Sequence, residues 1–237
     1  FTKNWQALIA KGEGNRWRVH RRGGESILTG NGGNGDVPAG TPDITEGIHH
    51  IVLVSDPEND EVRLYSDGEL ASSNNGPAIQ SNDNPMMIGE NPDARNRTWS
   101  GMIDDVGIWD RPITEAEIAT IWNGGDGTAL VTAGGGAVEL VPDLLAYFPF
   151  DGASDLVDKV AGLEGEAQGE LADAEGVIGS AVDLGEAENW IKVDAEATGW
   201  LAPASDNNAL SVSLWQKLNV VRNSSTFWFR AEAAGSN

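Results

Sequence analysis

Short runs with apolar side chains at alternate positions, each closed by Gly, Asn, Asp or Pro, recur along the whole of this 237-residue chain. A two-residue period presents one face of a strand to a core and the other to a neighbouring layer or to water, and such runs, closely spaced, predict a β-sandwich rather than an α/β protein. Strands are expected at 5–10, 17–21, 26–29, 48–55, 61–66, 69–72, 86–89 and 101–109, and again at 145–150, 179–184, 190–193, 210–218 and 225–231. Asp67-Gly68 between two of these runs predicts a two-residue hairpin, because a type I′ turn needs positive φ at both central positions. Asn31-Gly32-Gly33-Asn34-Gly35 is expected to be a flexible hairpin tip, since no phosphate-loop pattern or following helix accompanies it. One short helix is signalled: Thr114 as N-cap, Glu117 three residues on as in a capping box, Ile118 and Ile121 facing inward, and Gly124-Gly125 to end it.

The charge balance excludes several partners. Thirty-seven acidic against 15 basic residues give a net charge of −22. Phosphate backbones and anionic lipids require Lys/Arg patches, so nucleic acid is excluded as a partner. The longest apolar runs fall far short of the roughly 20 residues a membrane span needs, so membrane insertion is not expected. There is no cysteine, hence no disulfide framework and no thiolate chemistry. The chain lacks an initiator Met and a leader sequence at Phe1, and reads as an internal or processed segment.

Three stretches carry a family resemblance: Gly47-Ile48-His49-His50-Ile51-Val52-Leu53-Val54, the hairpin from Val62 through Asp67-Gly68 to Leu70, and Gly101-Met102-Ile103-Asp104-Asp105-Val106-Gly107-Ile108-Trp109 with the helix after it. They resemble the closing half of a laminin-G-like (concanavalin-A-like) jelly-roll domain. The opening half is resembled only later, by Phe150-Asp151-Gly152, by residues 176–184, by Trp190-Ile191-Lys192-Val193 and by Leu210-Ser211-Val212-Ser213-Leu214-Trp215. The fold class expected is therefore an all-β concanavalin-A-like sandwich with one short C-terminal helix per domain. Residues 1–123 form the closing part of one domain, 124–143 a loosely packed Gly/Ala-rich linker, and 144–237 the opening part of a second. Residues 224–236 and 1–14 look like the same strand and its turn. A window on a tandem array, a permuted single domain, and strand exchange between subunits all remain open, because half a sandwich leaves bare edges and one uncovered face.

The candidate chemistry is sparse. Laminarinase-type relatives of this fold carry an E-x-D-x-x-E strand; the nearest run here, Glu58-Asn59-Asp60-Glu61-Val62-Arg63, ends in Arg63. Hydrolysis needs two facing acids, so the chain is expected not to be an enzyme. Neighbouring strand residues point to opposite faces, so His49 and His50 do not form a catalytic pair. The resemblance implies a structural calcium held by Asp104 or Asp105 together with Asp151. Trp5, Trp17, Trp215 and Trp228 fall in alternating strands, and most of them are expected in the core. Trp99, with Arg97 beside it, is placed in a loop and taken as a ligand-binding rim. Asn96-Arg97-Thr98 and Asn223-Ser224-Ser225 match glycosylation sequons. The function expected is a non-catalytic extracellular or cell-surface adhesion or structural module within a repetitive surface or filament protein, its partners being further copies, neighbouring repeats or a glycan. The alternative is a calcium-dependent carbohydrate-binding module of a polysaccharide-degrading enzyme.

Overall fold

A computed structural model describes residues 4–219 apart from 15, 33–35, 39, 40, 42, 78, 80, 81, 132–140, 187, 195–198 and 200. The expected strand at 225–231, Trp228 and the second sequon lie outside the described residues, as do residues 33–35 of the expected hairpin tip. The first segment contributes β1 (Ala7–Ala10), β2 (Arg18–Arg21), β3 (Leu28–Asn31), β4 (His49–Asp56), β5 (Glu61–Ser66), β6 (Glu69–Asn75), β7 (Met86–Ile88), β8 (Gly101–Trp109) and α1 (Glu115–Trp122). The second contributes β9 (Leu144–Phe148), β10 (Gly165–Gln168), β11 (Ala172–Glu175), β12 (Ser180–Asp183), β13 (Trp190–Val193), α2 (Ala202–Asn207) and β14 (Leu210–Leu218).

Two antiparallel sheets form. The six-stranded sheet runs β10-β13-β7-β1-β2-β3, and the eight-stranded sheet runs β11-β12-β8-β14-β4-β5-β6 with β9 also on β8. Strands of both segments interleave in each sheet: β13 lies against β7, and β14 is inserted between β8 and β4.

The main core between the sheets is built from inward positions such as Ile9, Val19, Ile51, Leu53, Ile103, Phe148, Ile191 and Val212. A second cluster covers the outer face of the eight-stranded sheet, where Ile118 and Ile121 of α1 pack on Val52, Val54, Tyr65, Trp109 and Tyr147. Two-sided burial explains why 51–54 reads as an unbroken apolar run instead of an alternating one. At the described ends of the stretch 124–143, Leu130 and Val141 are buried in this outer cluster, while Gly124, Gly125, Asp126, Pro142 and Asp143 are exposed.

Local signals act as their chemistry requires. Thr114 Oγ1 accepts from the Glu117 amide while the Glu117 carboxylate accepts from the Thr114 amide, closing the capping box. Asp67 (φ +51°) and Gly68 (φ +81°) both take the left-handed conformation of a type I′ hairpin. A Cβ on Gly68 would lie 2.7 Å from the Trp122 ring, so the turn must be bare for α1 to dock.

Candidate functional site

The site sits where β8 changes partners along one edge. Met102 and Ile103 pair with β12, whereas Val106 through Trp109 pair with β9. On the opposite edge the register to β14 slips between Ser213 and Trp215. An extra residue in the strand keeps Ile103 and Val106 both in the core while Asp104 and Asp105 leave it together, with Asp105 at φ +49°. Adjacent strand residues ordinarily point apart; the bulge is what makes them neighbours.

Both carboxylates are buried, at 1% and 4% exposure. Asp104 Oδ2 accepts from the Val177 amide (2.9 Å) and Asp105 Oδ1 from the Tyr147 hydroxyl. Among the described residues Asp104 Oδ1 and Asp105 Oδ2 have no hydrogen-bond partner. Burial first, then the Asp105 charge, pushes the Asp104 carboxyl well above the ordinary carboxylate range; burial and the nearby Asp151 charge act likewise on Asp105, against the Tyr147 hydrogen bond. Burial and the Asp105 charge in turn push the Tyr147 phenol up.

The third expected ligand approaches from outside. Gly176 is packed against Asp104 Oδ2 and Gly179 against Asp151 Oδ1, so a single turn separates the buried pair from the exposed Asp151. Among the described residues no three His, Asp or Glu side chains are grouped as ligands of one ion. A cation here would therefore rest on the two unpartnered oxygens of Asp104 and Asp105, completed by backbone carbonyls and water, which is chemistry calcium accepts.

Trp99 is not a rim residue. It is fully buried in the main core. The cause is Glu90, whose buried carboxylate accepts from the amides of Asn91, Asn96 and Arg97 and folds the loop so that Trp99 turns inward. Arg97 is held by Glu13 at 2.7 Å. Trp17 is in the main core, while Trp215 is buried on the outer face, its ring 4.9 Å from that of His50. Trp5 is half-buried, its ring tilted against that of His20 at 5.5 Å.

The histidine pair divides as strand geometry requires. His49 Nδ1 meets Asp67 Oδ2 at 2.7 Å and its Nε2 meets the Glu46 carbonyl at 3.0 Å, so the Asp67 hydrogen bond raises its pKa. His50 lies beneath Trp215 with Nε2 2.8 Å from Ser213 Oγ, and burial lowers its pKa to about 3. Ser213 and His50 have the spacing of a nucleophile and base, a pairing the sequence does not announce because 163 residues separate them. Both are sealed from solvent, at 1% and 0% exposure, so the pair fastens β14 to β4.

Beside the carboxylate pair an open cleft of about 450 Å³ is lined by His49, Asp67, Trp122, Asp126, Val177 and Trp215 among others.

Two antiparallel sheets enclosing one core, with few helices, define the jelly-roll class of β-sandwich. Residues 1–119 match the laminin-G-like family model described as the concanavalin A-like lectin/glucanases superfamily. The chain belongs to that superfamily. No curated protein and no solved structure matches it.

Proposed function

We propose that this chain is a non-catalytic extracellular module serving adhesion or structure, as one segment of a repetitive surface or filament protein. The observation that carries the reading is the interleaving of the two segments in both sheets. The same pairings made between successive segments, or between copies, would join sandwiches in series, which makes neighbouring repeats and further copies the natural partners. A lack of catalysis fits the hairpin between β4 and β5: Glu58, Asn59 and Asp60 are exposed at its turn, and Arg63, where a third acid would stand, is ion-paired with Asp56 at 2.8 Å. Calcium would be held by Asp104 and Asp105, with Asp151 at the outer side of the same turn; its charge would compensate the two buried carboxylates and brace the strand switch.

The test is incubation with a panel of polysaccharides, with calcium and with chelator, following reducing ends and retention on immobilised glycans. No reducing ends and no retention are expected. Turnover would overturn the non-catalytic reading. Calcium-dependent retention would move the assignment to a carbohydrate-binding module, the second reading, which the unpartnered oxygens of Asp104 and Asp105 favour.

A further inference from the structure

The cleft beside the carboxylate pair has a composition the proposed role does not use. The half-buried indole of Trp122, seated on Gly68, lines it together with Trp215. Asp67 and Asp126 supply carboxylates. The cleft also meets the C-terminal end of α1, whose carbonyls carry the negative end of the helix dipole and whose last turn has no basic residue. Among the described residues exposed Asp126 has no ion-pair partner.

The one side chain on the wall that can carry a positive charge is His49. Both its ring nitrogens face acceptors, Asp67 Oδ2 and the Glu46 carbonyl, so its charge is matched locally by Asp67. What remains is an aromatic face beside an unmatched carboxylate and a helix C-terminus, in a chain of net charge −22. An anion would meet Asp126 and the helix C-terminus, both of which repel it, with any His49 charge already matched by Asp67. An inorganic cation would find only one free carboxylate and no cage of oxygens, whereas an organic ammonium group satisfies both features at once: its charge faces Asp126 and the helix carbonyls while its methyl or methylene surface lies on the indole.

We propose that this cleft binds a small ligand through an organic ammonium head group, with Trp122 as the stacking surface and Asp126 as the counter-charge. Neither Asp104 nor Asp105 is among the residues that line the cleft.

The experiment is a calorimetric titration of the intact chain with choline and with 3,3-dimethylbutan-1-ol, its uncharged isostere, repeated on Trp122→Leu and Asp126→Asn. Choline is expected to bind saturably and about tenfold or more tightly than the alcohol. Trp122→Leu should remove the preference, Asp126→Asn should weaken choline severalfold, and added sodium chloride should weaken it further. Thermal unfolding checks that both variants fold; Asp126→Asn, being at an exposed position, keeps the test decisive if Trp122→Leu does not. Equal binding of the two probes, no saturable choline signal, or unchanged affinity in Asp126→Asn would overturn the proposal.

Discussion

Replacing Asp104 by Asn should make the protein more stable at alkaline pH and leave it nearly unchanged in acid. The carboxyl is buried beside a second carboxyl, and both are displaced upward from their ordinary titration. Such a group binds its proton more tightly folded than unfolded, so the stability it confers is full below the unfolded pKa near 4 and drains away as pH rises through the folded pKa. Each tenfold displacement of a proton equilibrium is worth about 1.4 kcal/mol, so the upward displacement of the Asp104 carboxyl costs the wild type on the order of 3 kcal/mol once that proton is lost. Asn keeps the oxygen that accepts from the Val177 amide and removes the charge. For a chain of this size the gain is about 6–12 °C in Tm at pH 8.5, shrinking towards zero at pH 4.5. Differential scanning calorimetry of both proteins in chelator across this range measures it, and the difference between them cancels groups that titrate alike in both. Added calcium should raise the wild-type Tm at pH 8.5 and leave Asp104→Asn much less affected. A variant equally destabilised at both pH values would refute the reasoning, because it would make Asp104 a charged structural anchor and not a strained one.

Asp67→Asn removes the hydrogen bond that raises the His49 pKa, so NMR titration should show the imidazole moving down; an unmoved resonance would discount the pair. Since His49 is raised in the folded state, its contribution is present below about pH 6.5 and fades as pH rises through the folded value, so the variant's deficit, about 1 kcal/mol, should be largest in mild acid. Thr114→Ala opens the capping box and should cost about 1 kcal/mol in urea unfolding; a neutral result would mean that α1 is held by Ile118 and Ile121 alone. Trp99→Ala, at a fully buried position, should cost about 3–5 kcal/mol, and a surface-like loss below about 0.5 kcal/mol would return Trp99 to the rim.

Much of the framework is legible because it depends on neighbours in sequence. The Asp67-Gly68 turn, the Thr114 to Glu117 box and the strands Glu61–Ser66, Gly101–Trp109 and Leu210–Leu218 follow from local chemistry alone. The strands Gly165–Gln168 and Ala172–Glu175 escape because they are sheet edges, largely exposed, and carry no large apolar side chain to read. α2 escapes for a related reason: only Ala204 of its six residues is buried. Trp99 misleads since its burial is decided by Glu90, whose hold on three amides leaves no pattern in the residues it encloses. Asp104 and Asp105 can be named from the sequence, yet their closeness depends on a bulge set by β9, β12 and β14. What remains hidden in each case is a property of partners brought from far along the chain.

The placement of β14 has a consequence for how the molecule is made. It is the last described strand, and it lies in the middle of the larger sheet, between β8 and β4. Until Leu218 has been synthesised, β4 and β8 each keep one long edge open, and the gap between them is one strand wide. At about 5–20 residues per second, about 100 residues and several seconds separate the end of β8 from the strand that closes the gap. During that interval an intruding strand from another nascent chain would be held by the same hydrogen bonds as the proper one. Yield from synthesis, more than stability once folded, is therefore where changes in β14 should be felt first.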